Sequence, residues 1–373
     1  MPGLYLHIPF CKQACHYCNF HFSASLKYKG EMVLAIRREL ELQRDYLNHA
    51  TLQTIYFGGG TPSLLDESEL NSIFDQIYRL FPVADDAEIT LEANPDDLTR
   101  EGVHILRKSP VNRLSIGIQS FSEADLRFMN RAHSAEEALG SVKRAQDAGF
   151  ENITLDLIYG SPTTSDEQWA ANLRTFFELQ IPHLSSYCLT VEPKTALGHF
   201  VEKGQAPPVD EEKASRQFEY LMDALEKRGY EHYEISNFAL PGRYSKHNSS
   251  YWLGEPYLGV GPAAHSYNGD IRQWNVANNA RYLQALSESS LPFELETLTP
   301  ANRYNEYVMT SLRTQWGCDL AHIRSLPEDY SKHFLDAIQP FLDSGDVVRN
   351  SEVFTLTRQG KLIADRVAAE CFV

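Results

Sequence analysis

His7-Ile8-Pro9-Phe10-Cys11-Lys12-Gln13-Ala14-Cys15-His16-Tyr17-Cys18 places three cysteines within eight residues, directly after an apolar run, residues 4–8, that reads as a β-strand. The cysteines therefore sit on the loop at the C-terminal end of the first strand, which in a βα barrel is the active face. Three thiolates on a short loop can each take one iron of a cubane, leaving the fourth iron without a protein ligand and open to a substrate. A zinc reading competes on the same residues, since Cys11, Cys15 and Cys18 with His16 or His21 would supply a Cys3His tetrahedron. Zinc knuckles usually pair their thiols as CxxC, however, and zinc would not account for the polar residues that follow at later strand ends.

Outward from that loop, short β-rich runs alternate with longer amphipathic runs up to about residue 230, as a parallel sheet with crossover helices requires. Strands are expected at 4–8, 54–57, 89–93, 113–118, 153–157 and 185–189. Helices are expected at 31–47, 67–80, 135–147, 166–177 and 211–228, where apolar positions recur three or four apart. Ser134 before Glu136 and Glu137, and Gly149 beyond the helix, are start and stop signals. Six βα units fall short of the eight of a closed barrel, so the fold class is α/β, a partial (β/α)6 barrel. A Gly- and Tyr-rich stretch, 254–269, then breaks the pattern. Past residue 299 the chain turns helical and ends with a strand at 353–356 and a helix at 357–370. The expected division is a barrel over 1–235, a connecting segment over 236–295, and a small helical, winged-helix-like domain over 296–373.

The 373 residues, 43% hydrophobic and 23% charged, fit a folded chain with a sizeable core. A formal charge of −16 without clustered Lys and Arg argues against a nucleic-acid partner. The first ten residues show no basic leader or signal-length apolar run, and no stretch approaches about 20 consecutive apolar residues, so a cytoplasmic location is expected. Cys188, Cys318 and Cys371 stand alone in apolar surroundings and read as packing residues.

A second set of residues lies at the other strand ends. Gly58, Gly59, Gly60, Thr61 and Pro62 follow the second strand and would let a ligand approach the backbone. Glu92 ends the third strand, Gln119 follows the fourth, Arg131 comes next, and Asp156 lies in the fifth. Carboxylates and an amide suit hydroxyl and amino groups; an arginine suits a carboxylate through a bidentate fork.

CxxxCxxC with an aromatic before the last cysteine resembles the radical S-adenosylmethionine (SAM) superfamily. The resemblance implies a [4Fe–4S] cluster on Cys11, Cys15 and Cys18 whose open iron is chelated by SAM, which the reduced cluster would cleave to a 5′-deoxyadenosyl radical. It further implies that Gly59, Gly60 and Thr61 meet the methionine moiety and that Glu92, Gln119 and Asp156 meet its amine and the ribose hydroxyls. Arg131 would meet its carboxylate, and Tyr5 and Tyr17 would flank the cluster.

Over nearly the whole chain the sequence is similar to the oxygen-independent coproporphyrinogen III oxidase family, which has two branches. The decarboxylating branch carries CxxxCxxCxC and an N-terminal extension. Here Cys18 is followed by Asn19 and Phe20, and the first strand begins close to Met1. The HemW-type heme chaperone branch carries HNxxYW, present as His247, Asn248, Ser249, Ser250, Tyr251 and Trp252. A histidine is a good axial ligand for heme iron, and Tyr251 and Trp252 suit a porphyrin face. The plainer reading is that His247 caps a loop and Trp252 is core. His265, Tyr257 and Tyr267 are further candidates for the same pocket. The resemblance thus implies a protein that binds heme and delivers it to a respiratory hemoprotein, with an electron donor for the cluster. It leaves a homodimer open, and any contact with the inner membrane to the client. The alternative is an enzyme that oxidatively decarboxylates the propionates of coproporphyrinogen III.

Overall fold

The computed structural model describes residues 2–373. Its strands are β1 (Gly3–Ile8), β2 (Leu52–Gly59), β3 (Val83–Ala93), β4 (Arg113–Gln119), β5 (Asn152–Tyr159), β6 (His183–Cys188), β7 (Glu231–Glu234), β8 (Asn237–Ala239), β9 (Tyr257–Val260), β10 (His265–Tyr267), β11 (Ile271–Asn275), β12 (Phe293–Thr297), β13 (Cys318–Asp319), β14 (Val347–Asn350) and β15 (Val353–Leu356). The first twelve form one open sheet in the order β12-β11-β10-β9-β1-β2-β3-β4-β5-β6-β8-β7. β1 to β6 run parallel, as the alternation of strand and helix predicts.

Because side chains alternate across a strand, each parallel strand feeds two environments. Leu4, Leu6 and Ile8 point to the helical layer and are almost fully buried. Gly3, Tyr5 and His7 take the concave face. On the outer face, Met32, Ile36 and Leu40 of helix Lys29–Leu42 join Leu70, Ile73 and Ile77 of helix Glu67–Leu80 in the main core. Full burial of each such aliphatic side chain stabilises by about 1.5–3 kcal/mol. Asp66 and Glu69 form a capping box at one helix, and Ser134 and Glu137 form another at the expected Ser134 start.

Three expectations are corrected. The helix expected to reach residue 47 stops at Leu42, and positive φ at Asn48 and His49 carries the chain into turns. The terminal helix begins as a 3-10 turn, Gly360–Ile363, before Ala364–Glu370. The segment 236–295, expected as a connection, is part of the sheet: β8 and β7 extend it antiparallel beyond β6, while β9 adds parallel to β1 and β10, β11 and β12 follow antiparallel. Leu258, Val260, Tyr282 and Leu286 of this segment lie in the main core.

Beyond it, helices Pro300–Leu312, Leu320–Ser325, Ser331–Asp343 and Ala364–Glu370 surround the small sheet β13-β15-β14 over a second core that includes Tyr304, Val308, Phe334, Ile338 and Phe354. Cys318 and Cys371 are buried there, and burial pushes both thiols up to about 12. Both are inert packing residues at neutral pH.

Candidate functional site

The cysteine loop closes over the C-terminal rim of β1 and β2. The Ile8 carbonyl accepts from the Phe10 and Gly60 amides, both at 2.9 Å, while Ser23 pairs with Pro9 and Cys11 across the loop at 2.9 and 3.0 Å. Gly59 has φ +105°, and a Cβ there would lie 2.6 Å from His7 Nδ1; at Gly60 it would lie 2.6 Å from the Phe10 carbonyl. Only glycine lets the end of β2 pass this close beneath the loop.

The outer side of the loop is held by side chains. Lys12 reaches Asp96 at 2.9 Å and also pairs with Asp97. Gln13 Nε2 donates to both the backbone and side-chain oxygens of Asn130 at 2.9 Å, and Asn130 Nδ2 donates to the Ala14 carbonyl at 2.7 Å. Asn130 sits at φ +56°, a conformation asparagine tolerates.

Two donors aim at the sulfurs. Thr61 Oγ1 donates to Cys11 Sγ at 3.4 Å, and Arg131 Nη1 donates to Cys15 Sγ at 3.1 Å. Arg131 Nη2 is fixed by Asn94 Oδ1 at 2.6 Å and the Gly117 carbonyl at 2.8 Å, while its Nε is buried without a hydrogen-bond partner among the described residues. Burial pushes the Cys11 thiol up to about 11 and also raises Cys18, so thiolates here need cationic metal to hold them at neutral pH. The tetrahedral zinc arrangement is not formed: the His16 ring bonds the Phe128 carbonyl at 2.9 Å and the His21 ring bonds Asn279 Oδ1 at 2.7 Å. Among the described residues, no three His, Cys, Asp or Glu side chains converge on one ion. Separate thiols, Cys11 and Cys15 with a hydroxyl or guanidinium donor and Cys18 with a backbone amide and the Arg131 field, fit the corners of a cluster.

Below the loop, buried polar side chains line the concave face. Glu92 accepts from Tyr56 Oη at 2.8 Å, and burial, then the nearby Asp156 charge, raises its carboxyl to about 7. Asp156 faces Ser115 Oγ at 3.4 Å, and burial raises it to about 6. Gln119 adopts φ +66° where the β4–β5 register shifts; a Cβ on Gly117 would lie 2.9 Å from its Nε2. Tyr17 is half-buried beside Met129, Ile158, Leu189 and Leu197, in the fields of Arg131 and Cys15. Tyr5 stacks on Tyr56 with ring centroids 6.1 Å apart. Gly59, Gly60, Thr61 and Arg131 thus stand at the rim beside the cysteine loop, and Tyr5, Glu92 and Asp156 on the strands below it.

The HNxxYW residues are elsewhere, and His247, expected as a heme ligand, has its ring bonded within the fold. They form the short helix Lys246–Trp252, which closes the barrel at the opposite end. His247 is 1% exposed. Its Nδ1 bonds Thr54 Oγ1 at 2.7 Å, its Nε2 bonds Tyr251 Oη at 2.8 Å, and its amide donates to Glu88 at 3.1 Å. Its ring stacks on Tyr56 at 4.9 Å, and burial with the Arg113 charge lowers its pKa to about 3. A neutral ring with both nitrogens engaged has no free lone pair for iron. Tyr251 is spent on His247, Trp252 lies under the Arg313 guanidinium at 5.4 Å, and the Asn248 amide donates to the Ser245 cap.

Sequence reasoning missed Asn94, Asn130 and Arg113. Asn94-Pro95 after a strand is a turn signal, and an asparagine there is placed to reach across the rim. Arg113, 1% exposed on β4, has Nε 3.9 Å from Glu88 Oε2, and none of its three nitrogens has a hydrogen-bond partner among the described residues. No sequence signal separated it from a surface arginine at a strand start.

Two family models match this chain: the Radical SAM superfamily over residues 5–176 and the HemN C-terminal domain over residues 298–363. The chain is 34% identical over 374 residues to the Bacillus subtilis (strain 168) heme chaperone HemW, covering 98% of each. The Escherichia coli (strain K12) protein of that name is 39% identical over 270 residues, 70% of this chain and 69% of that one. Among solved structures, coproporphyrinogen III oxidase (HemN) from Escherichia coli, a radical SAM enzyme, superposes with a TM-score of 0.87 at 22% identity, covering 100% of this chain and 90% of that one.

Proposed function

Because this chain belongs to the radical SAM superfamily and, within it, to the HemW heme chaperone family, we propose that it carries heme to a respiratory hemoprotein with a [4Fe–4S] cluster and SAM at its barrel rim. The observation that carries this reading is the match over 98% of the chain to a relative named a heme chaperone. Cys18-Asn19-Phe20, lacking the further cysteine of the decarboxylating branch, agrees with it.

In this reading Cys11, Cys15 and Cys18 hold the cluster, which supplies an open iron corner and a route for one electron from a donor protein. Thr61 and Arg131 donate to its sulfur ligands. Gly59, Gly60 and Thr61 admit the methionine portion of SAM, Arg131 faces its carboxylate, and Glu92, Gln119 and Asp156 take its amine and ribose hydroxyls. Tyr5 and Tyr17 flank the cluster. Among the described residues no helix is long and apolar enough to cross a membrane, so membrane contact in this scheme belongs to the client.

Hemin titration of the anaerobically reconstituted protein, followed by transfer to an apo-hemoprotein, tests the function. Saturable one-to-one binding and transfer are expected. Efficient conversion of coproporphyrinogen III to protoporphyrinogen would establish the decarboxylating alternative instead.

SAM affinity is expected to rise about tenfold between pH 6 and pH 8, because a carboxyl near 7 passes from mostly protonated to mostly ionised across that window and the ligand is cationic there. The sign for stability is opposite. With folded values above the ordinary carboxyl range, the contribution of Glu92 and Asp156 is present in full at low pH and lost as pH rises through about 6 to 7. Equilibrium dialysis at several pH values reads the first effect. Glu92→Gln should flatten the profile, and a flat wild-type profile would remove Glu92 from the ligand.

A further inference from the structure

The concave face does not end at β1. Tyr5 of β1 pairs with Gly259 of β9, and Tyr257 of β9 pairs with Tyr267 of β10. His265 then stands opposite Trp274 of β11, and Trp274 opposite Glu294 of β12. Directly paired residues share a face and alternate residues return to it, so His265, Tyr267 and Trp274 continue the face that carries Tyr5. β9 runs parallel to β1. Its C-terminal end, the start of β10 and the end of β11 therefore lie at the same rim as the cysteine loop.

At that rim is a cavity of about 650 Å³ lined by Ala263, His265, Trp274, Val276, Arg281 and Phe293, among others. Its size is within the range of small-molecule and cofactor sites. Helix Asn279–Ser287 forms one wall, and its first residue, Asn279, bonds the His21 ring of the cysteine loop at 2.7 Å. His265 and Trp274 lie with ring centroids 6.2 Å apart.

This histidine differs from His247 in each respect that matters for iron. It is exposed toward the cavity, and among the described residues its ring nitrogens have no hydrogen-bond partner.

Resting on the heme-carrier reading above, we propose that this cavity is where heme is held, with His265 as the iron ligand and Trp274 and Phe293 against the macrocycle. Arg281 faces a propionate. Glu288 and Glu294, also on the wall, repel the propionate edge and so favour the orientation that turns it toward Arg281. The His247 motif, by contrast, closes the far end of the barrel and does not ligate.

The test titrates hemin into the full-length protein and three variants, reading affinity and the Soret band and the iron spin state by electron paramagnetic resonance. His265→Ala should weaken binding at least tenfold and change the Soret position and the spin state. Arg281→Glu should weaken binding several-fold and leave the ligand signature in place. His247→Ala should keep the wild-type signature. If the wild-type protein binds no hemin, the carrier reading falls and this assignment with it. If it binds hemin and His265→Ala matches it in affinity and spectrum, or if His247→Ala loses the ligand signature, the cavity assignment is overturned while the carrier reading stands.

Discussion

Cys15→Ala protein, reconstituted anaerobically with iron and sulfide, is expected to lose its cluster, with iron and sulfide falling from about four each per chain to background. The effect is large because the three cysteines have no spare among the neighbours. Cys318 and Cys371 lie in the second core, Cys188 packs against the main core at the end of β6, and His16 and His21 are committed to Phe128 and Asn279. Cys15 also receives the Arg131 donor at 3.1 Å, so its loss leaves a largely buried guanidinium facing empty space. The fold should survive, since the loop is tied by Lys12, Gln13 and Asn130 independently of the thiols. Circular dichroism should therefore match wild type while the visible absorption of the cluster disappears. Retention of a full cluster by the Cys11, Cys15, Cys18 triple alanine variant, or stoichiometric zinc without sulfide in the wild type, would reject the assignment.

The second large effect is expected at the other end of the barrel. Arg113→Met should destabilise the protein by about 3–5 kcal/mol, because removing one partner of a buried ionic group leaves the rest uncompensated. Arg113 is almost fully enclosed beside Glu88 at 3.9 Å, and its charge helps to hold Asp156 down and His183 and His247 neutral. The melting temperature should fall by roughly 5 °C. Adding Glu88→Gln to Arg113→Met should return part of the loss, since two neutral groups of similar volume replace a lone buried carboxylate; the double-mutant cycle measures the coupling. A denaturant midpoint for Arg113→Met indistinguishable from wild type would mean that the guanidinium compensates nothing.

The six parallel strands and the Ser134 helix start were legible because local signals and tertiary demands agree there: β-branched runs end at glycine or polar turns, and a serine cap meets Glu137. The cysteine loop and the polar strand ends were legible for a similar reason, since residue type and strand position together specify a rim. The segment 236–295 was not, because β9 and β10 are four and three residues long and their neighbours lie far off in sequence: β9 joins a strand that begins at Gly3. A Gly- and Tyr-rich run cannot announce such a partner. At His247 the residue types suggested a ligand, but the spacing to Tyr251 is i, i+4 on a helix, which places both on one face and lets them satisfy each other. That spacing was the signal available. Asn94 and Asn130 act by reaching across the rim to Arg131 and the cysteine loop, contacts that exist only once the sheet has curved.

The sheet ends at β12 with Phe293, Glu294, Leu295, Glu296 and Thr297, bonded on one side only. An unpaired strand of this kind invites another chain to dock its own backbone against it. Glutamates at alternate positions make that approach self-repelling, for a second copy would bring the same carboxylates opposite and add to a chain already carrying −16. This edge is therefore guarded against fibre-like stacking of like molecules, and association of two copies through β12 has to proceed by side-chain surfaces rather than by lengthening the sheet.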